Sequence, residues 1–183
     1  MTFNADAGAA ARGAGEGPDL AAALVPTPTD SGRVPLRLDL FATLTAALDY
    51  AAEGDAGCNF YNLRGGLSAV LSYATLRARS QTLARRLAAR FPRGARIALV
   101  AETSPEFLTT FFACQYAGLV PAPMPLPVNL GGKDGYLTQV RLMVEGAKAA
   151  AAVGPLSIKD FLADALAANS AVAVMSFEEL AGI

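Results

Sequence analysis

The 183-residue chain has no histidine and no tryptophan, and only two cysteines. Without histidine it cannot build a Ser-His-Asp or Cys-His catalytic arrangement from its own residues. It also lacks His-ligated zinc and an imidazole proton shuttle near neutral pH. Cys58 and Cys114 are too few for a disulfide framework, and each lies among apolar or aromatic neighbours. Both are therefore expected to be reduced, buried thiols of a cytoplasmic protein. No net charge of one sign is present either: 15 Lys+Arg oppose 16 Asp+Glu, and the sequence pI is about 5.4. Nucleic acid and anionic lipid call for clustered excess basic charge, so neither is an expected partner. The cluster Arg77, Arg79, Arg85, Arg86, Arg90 reads as the wet face of a helix. Long apolar runs are missing too. Met1 to Gly17 mixes Asp, Asn, Glu and Arg with Gly and Ala, unlike a signal peptide, and the alanine-rich run 147–153 contains Lys148 and stops at Gly154-Pro155. A soluble protein with no membrane span is expected.

The hydrophobic share of 53% is inflated by alanine, about a fifth of the chain, yet Leu, Val, Ile and Phe suffice for one core. Residues 1–34, rich in Ala, Gly, Pro, Thr and Asp, bury too little apolar surface to offset ordering entropy and are expected to form a flexible tail. Residues 35–183 are expected to form an α/β unit. Leu40, Phe41, Leu44 and Leu48 recur at helical spacing, with Gly54 as a stop. Residues 58–63 and 67–73 flank Arg64-Gly65-Gly66 and read as a β-hairpin in which both glycines can take positive φ. A helix over 74–90 places Leu76, Leu83 and Leu87 on one face and ends at Pro92 and Gly94.

Beyond this point strand and helix alternate. The apolar run 97–101 has the character of a parallel strand buried on both faces. Thr103-Ser104-Pro105-Glu106 starts a helix that carries Phe107, Phe111, Phe112 and Tyr116 and closes at Gly118. Residues 120–124 form the next strand. Tyr136, Leu137, Val140 and Val144 line a helix, 149–153 a strand, and Ser157 is expected to cap a helix through Leu166 before a last strand over 171–175. Ser176 and Glu179 have capping-box spacing. Three or more alternations argue for a mostly parallel sheet with flanking helices and right-handed crossovers, plus the N-terminal hairpin.

Open parallel sheets bind ligands beyond the carboxyl ends of their strands, here the loops after Val100, Met124, Val153 and Met175. Those loops contain no phosphate loop, no dinucleotide fingerprint, no nucleophile elbow and no C-x-x-C. Gly13 to Gly17 and Thr27 to Gly32 have glycine or hydroxyl residues without a preceding strand, and both read as linker. Gly131-Gly132-Lys133-Asp134-Gly135 could cradle an anion at a helix N-terminus, but Asp134 opposes one, and a plain loop is favoured. Glu102 reads as a first-turn helix charge rather than a base. The aromatic stripe from Phe107 to Tyr116 reads as core rather than an acyl pocket.

Several segments together resemble a known family. They are Phe60-Tyr61 with Arg64-Gly65 and the Leu-Ser-Tyr helix entry, Arg96 to Thr103, Phe111 to Pro121, and Pro121-Ala122-Pro123-Met124-Pro125-Leu126-Pro127 with Gly131-Gly132 and 136–141. From about Val34 onward the chain resembles the N-terminal region of fatty acyl-AMP ligases, within the adenylate-forming, acyl-CoA synthetase-like superfamily. The resemblance implies the first α/β subdomain of that fold. For a longer, full-length parent it implies ATP and Mg as cofactors, a fatty acid substrate converted to acyl-adenylate, and an acyl carrier protein as acceptor. The family's nucleotide loop, its adenine and ribose segments and its mobile-domain lysine match nothing in this chain, so no catalytic, cofactor-binding or metal residue carries over, and the fragment is expected to be non-catalytic. The rest of the ligase chain would be its partner. Arg64-Gly65-Gly66 departs from the family's usual Arg-Gly-Glu, a detail of the turn. Pro123, Pro125, Pro127, Tyr136 and Ser157 belong to loops that the resemblance places on the acceptor side, the alternative being that both loops are merely rigid connections. These loops offer a coenzyme A 3′-phosphate little countercharge before Lys159. Two alternatives stand beside this reading: a stand-alone interaction or scaffold module, and the N-terminal fragment of an acyl-CoA synthetase.

Overall fold

A computed structural model describes residues 32, 34–37, 41–126 and 132–182. In chain order the elements are α1 (Leu44–Ala51), β1 (Gly57–Tyr61), β2 (Leu67–Ser72), α2 (Tyr73–Arg90), β3 (Arg96–Val100), α3 (Pro105–Tyr116), β4 (Val120–Met124), α4 (Gly132–Ala147), β5 (Ala151–Gly154), a 3₁₀ turn (Leu156–Ile158), α5 (Lys159–Leu166), β6 (Ala173–Ser176) and α6 (Phe177–Gly182). β1 and β2 form an antiparallel hairpin, and the remaining strands form a parallel sheet in the order β4-β3-β5-β6. The expected α/β class, with a parallel sheet, flanking helices and a separate hairpin, is the architecture observed.

Alternation along β3 explains the layers. Ile97 and Leu99 join α2, α3 and α6 in one core through Leu83, Leu87, Cys114, Phe177 and Leu180. Ala98 and Val100 face the other way, toward Tyr136, Val140 and Val144 of α4 and Leu162 and Leu166 of α5. The four β3 residues from Ile97 to Val100 are buried, as a strand between two helical layers requires, and only Arg96 at its start is exposed. A third, smaller core of Leu48, Phe60, Leu71 and Leu76 holds α1 and the hairpin against α2.

Local chemistry sets the boundaries. The first helix starts at Leu44, later than the apolar spacing suggests, because Thr43 is extended and its hydroxyl accepts the Ala46 N–H at 3.1 Å. Phe41 precedes the helix, and Leu40 lies outside the described residues. In the hairpin turn only Gly65 has positive φ, at 78°. Gly66 is held instead by the Asn62 side chain, whose Oδ1 accepts the N–H groups of Arg64 and Gly66. Ser104 caps α3 as expected, and Gly118, at φ 71°, lets the chain turn into β4.

Three expectations need correction. Ser157 caps nothing: it lies exposed in the 3₁₀ turn, and α5 begins after Ile158 with no side-chain cap, because Pro155 sets the turn first. Glu102 is not a first-turn charge, since α3 starts at Pro105 and Glu106 occupies that place. Cys58 is half-buried rather than buried, whereas Cys114 is fully buried; both are free thiols. Residues 1–31, which include the glycine-rich stretch and most of the Pro-Thr segment, lie outside the described residues. Gly32 does not: its carbonyl accepts the Asp55 N–H at 3.0 Å.

Candidate functional site

The carboxyl ends of β3, β4, β5 and β6 form the rim where an α/β protein holds a ligand. Its floor here is closed and apolar. Val100, Met124 and Leu162 are buried. A Cβ added to Gly154 would stand 3.0 Å from a Val100 methyl and 3.2 Å from Leu162, so that close packing leaves no room beneath the rim. The Ala101 N–H donates to the Met124 carbonyl at 2.8 Å and ties the first two loops together.

On this rim Ser176, Glu179 and Lys159 satisfy one another. Ser176 Oγ accepts the Glu179 N–H at 3.1 Å while Glu179 accepts the Ser176 N–H at 2.9 Å, the capping box expected from spacing. The other Glu179 oxygen is paired with Lys159, the first residue of α5. The Lys159 ammonium and the Ser176 N–H hold the Glu179 carboxyl below its ordinary range. Glu102 stands alone, half-buried at the end of β3, and no group of three His, Cys, Asp or Glu able to hold a metal exists among the described residues. The described residues of the rim therefore do not fit a Mg-nucleotide, and no chemical step is routed through one here.

Of the residues expected on the acceptor side, Tyr136 and Pro125 come together: Tyr136 is buried, its hydroxyl donates to the Pro125 carbonyl at 3.4 Å, and burial pushes its phenol upward. Pro123 is exposed on β4, an edge strand, where a missing N–H costs no ladder bond. Ser157 follows β5, which β3 separates from β4, so the two loops are offset by roughly 10 Å. Pro127 and the glycine loop through Gly131 lie outside the described residues; Asp134 is in the first turn of α4. The aromatic stripe of α3 is structural. Phe107, Phe111 and Tyr116 pack on the first sheet core, Phe112 and Tyr116 on the hairpin core, and Phe111 meets Phe112 edge-on at 5.7 Å.

Sequence spacing gave no sign of the Lys159–Glu179 pair or of the cluster Asp49–Tyr116–Arg77. In that cluster one carboxylate oxygen accepts the Tyr116 hydroxyl and the Arg77 Nε, each at 2.6 Å, joining α1, α3 and α2. Desolvation by burial, reinforced by Asp49, pushes the Tyr116 phenol up to about 12. Partners so far apart along the chain leave no local pattern to read.

The AMP-binding enzyme family matches residues 54–169, more than half of the chain. The chain belongs to this family. Over 144 residues it is 49% identical to a Caulobacter vibrioides protein that bears the name acyl-CoA synthetase, covering 78% of this chain and 25% of that protein. A solved structure from the fatty acyl-adenylate ligases of E. coli and L. pneumophila matches with a TM-score of 0.75 and 38% identity, over 78% of this chain and 26% of that one. The adenylation domain of a keto acid-selecting NRPS module shares the fold at 18% identity and a TM-score of 0.64. The chain thus spans about a quarter of the length of these relatives. Adenylate-forming membership and the N-terminal position within that fold agree with the resemblance read from the sequence. No helix among the described residues is long and apolar enough to cross a membrane.

Proposed function

We propose that this chain is the N-terminal α/β portion of a fatty acyl-AMP ligase. In the complete protein, ATP and a fatty acid give acyl-adenylate and pyrophosphate, and the acyl group passes to the pantetheine thiol of an acyl carrier protein. The observation that carries this reading is the structural match at 38% identity to a fatty acyl-adenylate ligase. ATP and Mg belong to the complete protein on this reading, and the described residues of the rim hold no group of three His, Cys, Asp or Glu for a metal. On this reading residues 1–183 alone neither adenylate fatty acids nor bind Mg-ATP in the micromolar range.

The 49% identity to a protein named acyl-CoA synthetase favours a second reading, with coenzyme A as acceptor. The rim supports the carrier protein instead. Lys159, the first cation in sequence after β5, is engaged by Glu179, and Pro125 has no N–H to offer a phosphate. A coenzyme A 3′-phosphate would therefore meet little countercharge, whereas a carrier protein lacks that phosphate and binds through its own surface. The test is thioester formation by the complete enzyme with each acceptor. Preference for the carrier supports this account; comparable turnover with coenzyme A selects the second reading. Adding an arginine at Ser157 should then raise coenzyme A use at least slightly.

A further inference from the structure

A cavity of about 490 Å³ lies away from the strand ends, between α2, α3 and α6. Residues 73–96, α2 and the loop after it, carry Arg77, Arg79, Arg85, Arg86, Arg90, Arg93 and Arg96 and no Asp or Glu, in a chain whose formal charge is only −1. All of these arginines are exposed. Among the described residues only Arg77 has a carboxylate partner, Asp49. Thr75, Arg79, Thr82, Arg86 and Arg90 recur at helical spacing and so form one stripe along α2.

The middle of that stripe, Arg79, Thr82 and Arg86, is one wall of the cavity. Leu83 and Phe177 provide an apolar floor, α3 contributes Glu106 to the opposite wall, and Ala181 of α6 closes one end. Arg86, which also lines the cavity, donates one Nη hydrogen to the Ala181 carbonyl at 2.5 Å, leaving further guanidinium donors uncommitted to that bond. Arg79 has no hydrogen-bonded partner among the described residues.

We propose that this groove is a docking surface for an acidic amphipathic helix of a partner protein. The apolar floor accepts side chains spaced three and four apart on such a helix, and the arginine wall accepts carboxylates beside them. Guanidinium groups suit this role because their fork matches a carboxylate bidentately. Glu106 fixes the orientation, since a helix whose carboxylates faced α3 would be repelled. The same residue disfavours nucleic acid, whose phosphates would approach both walls and leave the apolar floor uncovered. A lipid headgroup surface is flat and would not fill a concave groove. The inference does not depend on the ligase reading.

The test is fluorescence anisotropy with a labelled synthetic helical peptide of about four turns, bearing leucines on one stripe and glutamates beside it, and with its glutamine counterpart. The glutamate peptide is expected to bind the intact chain at least about tenfold more tightly than the glutamine peptide. Arg79→Gln should erase that difference, Arg79→Lys should restore part of it, and Arg141→Gln on α4 should leave it unchanged. Unchanged thermal unfolding of Arg79→Gln separates docking from folding. The proposal is overturned by equal binding of the two peptides, by no binding, or by Arg79→Gln without effect. Tighter binding of a single-stranded oligonucleotide or of phosphatidylglycerol vesicles overturns it as well, and so does a dimer in light scattering that Arg79→Gln dissolves.

Discussion

Along β3 every residue from Ile97 to Val100 is buried, two facing each helical layer, whereas in the hairpin only Phe60 and Leu71 are buried and Tyr61, Leu67 and Val70 face outward. The sheet is thus closed on both sides by side chains from five helices, while the hairpin depends on one small cluster with Leu48 and Leu76 and on the polar link Asp49–Tyr116–Arg77. The first region is stabilised by packing density, which tolerates little change in volume. The second is a lobe whose loss would leave the sheet intact.

The sharpest way to break this comparison is a pair of core truncations. Leu99→Ala should destabilise the whole described unit by about 2–5 kcal/mol, since Leu99 is fully buried at the centre of the sheet. Denaturant unfolding followed by far-UV circular dichroism measures it. Leu71→Ala should fall at the low end, about 2–3 kcal/mol, and act locally. Hydrogen exchange should show faster Phe60 exchange with β3 and β5 amides still protected. Loss of protection throughout would mean that lobe and sheet are one cooperative unit.

Smaller effects sharpen the same contrast. Ser104→Ala removes the hydroxyl that accepts the Phe107 N–H at 3.2 Å and should cost about 1 kcal/mol, read in the unfolding of the sheet body. Thr43→Ala removes the corresponding cap of α1 and should instead loosen the lobe. The smallest effect is electrostatic. Burial opposes ionisation of Asp49, but the Tyr116 hydroxyl and the Arg77 guanidinium together hold its carboxyl below the ordinary value. A carboxyl depressed in the folded state adds stability that is present above its unfolded pKa of about 3.9 and disappears as pH falls through the folded value. Asp49→Asn should therefore differ most from the parent at neutral pH and converge with it in acid. A gap that persists below about pH 3 would show that the link acts by packing rather than charge.

Much of this fold was legible because its signals are local. The continuous apolar run of β3, the Thr103-Ser104-Pro105-Glu106 start of α3 and the Ser176–Glu179 box each state their conformation within a few residues. Ser157 misled because a Ser before an apolar-periodic stretch looks like a cap, while Pro155 two residues earlier fixes a 3₁₀ turn that moves the helix start to Lys159. That Lys159 is consumed by Glu179 depends on tertiary placement, and so does the groove that turns a charged helix face into a cavity wall. The arginines themselves were visible in the sequence. That Arg77 alone of them finds a carboxylate among the described residues was not, because pairing depends on which helices become neighbours.

The most direct test of the central claim is fatty-acid-dependent exchange of labelled pyrophosphate into ATP, run in parallel on the complete protein and on residues 1–183. Exchange requires reversible formation of acyl-adenylate, and it does not depend on which acceptor later takes the acyl group. The account predicts exchange by the complete protein that is absent without fatty acid, and none by residues 1–183. It is contradicted if the complete protein fails to exchange with any chain length of fatty acid, or if residues 1–183 exchange on their own.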